Sequence, residues 1–137
     1  MPLLPLKPGA REFLVWLRQQ GIRTGIASSN GIELVETVLK AQGIQEYLES
    51  VHTCCEVPKG KPAPDIYLLV AETLGVKPEE CLVFEDVPMG ILAGKNAGMR
   101  VCAVEDTFSA SQREEKKELA DYYIESYDEI PRERMQP

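Results

Sequence analysis

Five short apolar runs alternate with helix-like stretches along almost the whole chain, and that alternation limits the fold more than any other feature of the sequence. IRTGIAS (22–28), a run near 50–54, CLVFE (81–85), RVCAV (100–104) and a short extended piece within DYYIESYDEI read as strands. PGAREFLVWLRQQG places Ala10, Phe13, Leu14 and Leu17 at helical spacing, with Gly21 as a stop. NGIELVETVLKAQG predicts a second helix capped by Asn30, with Ile32, Val35, Val38 and Leu39 as its buried stripe and Gly43 as its end. Asp65 is expected to cap a third helix of about 65–74, MGILAGKNAG is a fourth, and SASQREEKKELA reads as a polar, exposed fifth. Strands separated by amphipathic helices predict right-handed βαβ units: a Rossmann-like, three-layer α/β/α fold with a parallel sheet. In such sheets functional groups collect beyond the carboxyl ends of the strands.

Composition narrows the partners. A formal net charge of −7 argues against nucleic-acid backbones and anionic membranes, which select a positive face. No apolar run reaches the ~20 residues of a membrane span. The four cysteines, Cys54, Cys55, Cys81 and Cys102, contain no CxxC pair and read as buried free thiols, which suits a reducing, cytoplasmic setting. His52 beside Cys54 and Cys55 lacks a second ligand cluster, so a strand is preferred there over a zinc site.

Three strand ends carry chemistry. IASSN leads into a helix whose first N–H groups favour an anion, and the Ser28 hydroxyl adds a donor; ordinary helix capping is the competing reading. KGKPAPD presents Lys61 from a loop constrained by Gly60 and Pro62, or else simply exposes it to solvent. LVFEDVPMGILAG ends a strand on adjacent carboxylates, Glu85 and Asp86. Two such charges ~4 Å apart repel by roughly 4 kcal/mol at an effective dielectric near 20. A divalent cation removes that cost, and hard oxygen ligands few in number suit Mg²⁺; an acidic pair favoured by a helix dipole is the alternative. The stripe Gly90, Ala93, Gly94 and Ala97 lets the helix approach the sheet closely and has no assigned chemistry. A hydroxyl with helix N–H groups, a lysine and a carboxylate pair on one sheet edge is what phosphoryl transfer requires, apart from a nucleophile.

IASSN, KGKPAPD and VFEDVPMGILAGKNAGM, in this order, resemble the second, third and fourth motifs of the haloacid dehalogenase superfamily, most closely its β-phosphoglucomutase-like branch. The resemblance runs from about Leu6 to Ile130, which makes 1–130 a partial core domain and 131–137 a tail. It implies a Mg²⁺-dependent phosphatase or phosphomutase that acts on a small phosphorylated metabolite through an aspartyl-phosphate. Ser28, Ser29 and Asn30 would bind phosphate or substrate, with Ser28 and Lys61 catalytic, Lys61 also on the phosphoryl group, and Glu85 and Asp86 on the metal. The family's first motif, a DxDGT-like run bearing the nucleophile, has no counterpart: no Asp precedes Asp65. The helical cap domain is absent too. The chain therefore reads as the C-terminal part of a larger enzyme and is expected to be inactive alone.

The resemblance also implies a missing central strand between those ending at Ser28 and Glu85. The two strands are then expected to pair directly, to borrow a strand from a second copy in a homo-oligomer, or to retain an N-terminal segment. A non-catalytic phosphate-binding or interaction module is the alternative function. A receiver-type signalling domain fits least, because its acidic pair belongs at the first strand.

Overall fold

The computed structural model describes residues 9–29, 31–53, 56–106 and 111–130. In chain order it contains α1 (Ala10–Gln19), β1 (Gly25–Ser28), α2 (Ile32–Gln42), β2 (Ser50–Thr53), α3 (Asp65–Leu74), β3 (Leu82–Glu85), α4 (Pro88–Asn96), β4 (Arg100–Val104), α5 (Arg113–Leu119) and β5 (Tyr122–Ile124). All strand pairs are parallel, as βαβ connections demand: β1 with β2, β3 with β4, and β4 with β5. The α/β class read from the alternation is the observed one.

The expected single sheet is divided. β1–β2 forms one sheet and β3–β4–β5 another, with no ladder between β1 and β3. Direct pairing of those two strands, one of the three arrangements expected, is therefore not adopted. Helices hold the sheets in register instead. On one face Phe13 of α1 meets Phe84 of β3 at 5.4 Å and Tyr127 at 5.7 Å between ring centroids. Its neighbour Leu14 packs into the cluster of Val35, Leu39 and Ile44, where Ile26 and Val51 of the small sheet also sit. On the other face α3 and α4 supply Ile66, Ala71, Ile91 and Ala93 to a core that reaches Ala27 of β1 and Val83 of β3 together. These layers bury apolar area against both sheets at once, which substitutes for the missing ladder.

Several local expectations change. β1 begins at Gly25, not at Ile22; just before it the Thr24 hydroxyl donates to the Tyr47 carbonyl and the Thr24 carbonyl accepts from Glu49 N–H at 2.9 Å, in line with the β1–β2 register. The backbone cap of α2 is Gly31; Asn30 lies outside the described residues. Ile32 is 41% exposed, so the buried stripe of α2 rests on Val35 and Leu39. Asp65 opens α3 as its first helical residue, and Pro64 takes the cap position. Gly43 and Gly75 end α2 and α3 in the left-handed region, where a side chain would be strained.

The fifth helix is not wholly exposed. Lys116 is completely buried, with Nζ donating to the Val104 carbonyl at 2.6 Å. Cys102 is a buried free thiol and Cys81 a half-buried one, while Cys54 and Cys55 lie outside the described residues. Among the described residues no helix is long and apolar enough to cross a membrane.

Candidate functional site

The β3–α4 junction follows from a short buried strand. β3 is four residues long, its inward positions are Val83 and Glu85, and Pro88 starts α4 three residues after Glu85. A carboxylate at an inward position must find partners or remain outside the fold. Glu85 is buried and finds three. Oε2 accepts from Lys61 Nζ and from the Tyr67 hydroxyl, and Oε1 accepts from the Asp86 N–H at 3.3 Å. Gly90, in the first turn of α4, lies against the carboxylate so closely that a Cβ there would overlap it. The stripe of small residues thus has a chemical consequence beside its packing role: it leaves room for Glu85.

Lys61 arrives from the loop between β2 and α3. That loop is shaped by a turn from Ala63 N–H to Gly60 O at 3.0 Å and is pinned by Asn96 of α4, which donates to Pro62 O at 3.0 Å. The lysine is not a solvated surface residue: its side chain is only 12% exposed. Its ammonium donates to Ala27 O of β1 at 3.1 Å and to Glu85 of β3, so one side chain spans the gap between the two sheets. It also lies over the Tyr67 ring, 5.0 Å from the centroid.

The predicted groups are distributed around this pair. Ser28 follows Ala27 at the end of β1 and is half-buried, and Ser29 is exposed beyond it, at the approach to α2. Asp86 follows Glu85 and is half-buried. A recess of about 150 Å³ opens beside the carboxylates, lined by Phe84, Glu85, Asp86, Val104 and Tyr127. A larger open hollow of about 510 Å³ lies on the outer side of α2, against Glu33, Glu36 and Lys40, and carries none of the predicted groups.

Among the described residues no three His, Cys, Asp or Glu side chains gather into a metal-binding group. The residues that would hold a metal are the adjacent carboxylates Glu85 and Asp86. Two carboxylates suit Mg²⁺, which keeps waters and takes further oxygens from phosphate. Glu85 would offer such an ion Oε1, since Oε2 is committed to Lys61 and Tyr67.

Tyr67 was not singled out from the sequence. Burial and the neighbouring Glu85 carboxylate push its phenol far above the usual tyrosine range, which keeps the hydroxyl a donor to Glu85. The signal was available: Ile66, Tyr67 and Ala71 form the buried stripe of α3, and a tyrosine on a buried stripe needs a polar partner. The Ala27 carbonyl and Asn96 left no comparable trace.

A family model described as haloacid dehalogenase-like hydrolase matches residues 2–98. Hexitol phosphatase B of Escherichia coli is 32% identical over 126 residues, covering 92% of this chain and 56% of that protein. Among solved structures, a CbbY mutant from Rhodobacter sphaeroides in complex with xylulose-(1,5)bisphosphate superposes with a TM-score of 0.85 at 29% identity, covering 94% of this chain and 57% of that one. β-Phosphoglucomutase from Clostridium difficile gives 0.78 at 25% identity, covering 96% and 55%. The chain thus spans about half the length of the relatives it matches. Motifs, layered parallel fold and relatives agree: the chain belongs to the haloacid dehalogenase-like hydrolases, in their phosphoglucomutase-like branch.

Proposed function

We propose that the chain is the phosphate- and metal-binding part of a Mg²⁺-dependent phosphotransferase acting on a small phosphorylated metabolite. The observation that carries this reading is the Lys61 ammonium, held between the Ala27 carbonyl and Glu85 at the ends of β1 and β3. An ammonium has three N–H donors, and these two bonds leave one for an incoming phosphoryl oxygen. The Ser28 hydroxyl and the backbone at Ser29 supply further donors from the end of β1, and Asn30 is proposed to contact substrate. Asp86 and the Oε1 atom of Glu85 hold Mg²⁺. When bound, that ion neutralises charge on the phosphoryl oxygens. Lys61 adds its own positive charge at the same oxygens, in a partly buried setting where such charges act strongly.

Covalent phosphoryl transfer needs a nucleophile, and the sequence carries no aspartate before Asp65. The nucleophilic aspartate is accordingly proposed to come from outside this chain, and the chain alone binds without turning over. The same observation favours one alternative, a module that binds phosphate without catalysis. Calorimetry with Mg²⁺ and inorganic phosphate is expected to give binding that Lys61→Ala and Asp86→Ala each weaken at least tenfold, about 1.4 kcal/mol. Turnover of a generic phosphate ester by the chain alone, lost on Asp86→Ala, would overturn the inactive reading. Absence of any phosphate binding would overturn both readings.

The inner edges of β1 and β3, which no described strand joins, are proposed to accept an extended segment, from a second copy or from a retained N-terminal piece. Strand edges left with unpaired N–H and C=O groups recruit such partners readily.

A further inference from the structure

We propose that Tyr67 is a positioning residue for the site, fixing the Lys61 ammonium with its ring face and the Glu85 carboxylate with its hydroxyl. This inference deepens the anion- and metal-binding reading and rests on it.

Tyr67 touches both members of the ion pair. Its hydroxyl donates to Glu85 Oε2, the same oxygen that Lys61 contacts, and its ring centroid lies 5.0 Å from Lys61 Nζ. The ring is anchored: Tyr67 is 7% exposed and belongs to the core cluster with Ile66, Ala71 and Ile91. On the far side Gly90 confines the carboxylate, so Glu85 is held between a phenol and a helix backbone.

The consequence is a division of labour among donors and acceptors. With Oε2 saturated by two donors, Glu85 presents Oε1 toward Asp86, the metal side of the site. A carboxylate sharing its charge among several donors attracts the ammonium less exclusively, which leaves the third N–H of Lys61 free to meet phosphate. Without the hydroxyl, Glu85 would draw Lys61 into a tighter pair and both groups would turn away from ligand.

The test uses Tyr67→Phe, which keeps the ring, and Tyr67→Leu, which removes both contacts. The Lys61 ammonium resonance is followed by ¹⁵N NMR, and inorganic phosphate affinity by calorimetry. Tyr67→Phe is expected to leave the backbone amide spectrum in place, to shift the Lys61 resonance, and to weaken phosphate binding roughly tenfold. Tyr67→Leu is expected to weaken it further. An unchanged Lys61 resonance with wild-type affinity in Tyr67→Phe would overturn the proposal. If wild-type protein binds no phosphate, the anion-site reading fails, and the Lys61 resonance alone still decides the positioning claim. Should Tyr67→Phe not fold, fluorotyrosine-labelled protein decides it: the Tyr67 fluorine resonance is expected to move on Lys61→Met, and a resonance that stays in place overturns the proposal.

Discussion

Two residues in this chain behave against their type. Gly90 sits in a helix, where alanine is ordinarily better by about 1 kcal/mol. Here the added methyl would overlap the Glu85 carboxylate, so the usual gain is reversed. Gly90→Ala is expected to lower stability by about 2 kcal/mol in urea denaturation and, by displacing Glu85, to weaken the proposed Mg²⁺ binding, read by calorimetry. Lys116 is a lysine with no exposed surface. Its stem covers apolar area, and its ammonium satisfies the Val104 carbonyl at the end of β4. Lys116→Ala is expected to cost about 2 kcal/mol, more than a surface lysine, because a cavity and an unsatisfied carbonyl appear together. Nothing in SASQREEKKELA separates Lys116 from Lys117: the choice of which lysine turns inward depends on where β4 ends. Tyr67 adds an alkaline signature. Its folded phenol is raised above the ordinary 10.0, so the stability it contributes is complete below that value and is lost as pH rises past it, when the unfolded phenol ionises. The stability difference between wild type and Tyr67→Phe is expected to narrow above about pH 10 in pH-dependent urea denaturation.

At the scale of elements, the short strands depend on side chains that tie helices to them. Asp121, between α5 and β5, accepts from Lys95 of α4 at 2.7 and 2.9 Å and from Val101 N–H of β4 at 2.8 Å. The Lys95 hydrogen bond, with the Val101 bond second, holds its carboxyl below the usual 3.8. For a depressed carboxylate the contribution is present above the unfolded value and is lost as pH falls through the folded one. Asp121→Asn is expected to destabilise by about 1 kcal/mol at neutral pH, screening by solvent included, with the difference fading as pH falls below the ordinary 3.8; thermal melts across acidic pH measure it. The Lys61 loop depends similarly on Asn96 of α4. Sequence reasoning found the loop and the lysine through Gly60 and Pro62, but not the pin, because the donor is 34 residues away in sequence. Glu85 and Asp86 were legible as a pair by charge alone. That Glu85 pairs with Lys61 while Asp86 lies beside it was not legible, since it depends on where the 60–63 loop and Tyr67 of α3 meet the end of β3.

At the scale of the molecule, the division into two sheets is the dominant feature. α1 on one face and α3 with α4 on the other bridge a gap that no ladder between described strands closes. Hydrogen exchange is expected to be faster at the inner edges of β1 and β3 than in β4, which is paired on both sides. If those edges recruit a second copy, sedimentation velocity is expected to give a mass that rises with concentration, and Ile26→Pro to suppress it. A concentration-independent monomer with fast exchange along the inner edges of β1 and β3 would contradict strand recruitment. The sequence by itself determined the class of fold, the parallel strand connections and the three strand ends on which the chemistry gathers, because periodicity and turn residues are local properties that act before any packing occurs. Only the tertiary structure decided that the sheet divides, that Tyr67 and the Ala27 carbonyl complete the setting of Lys61, and that Lys116 is buried. Each of those outcomes is a contact between segments far apart in the chain, and the burial that selects it exists only once the helices have closed over both sheets.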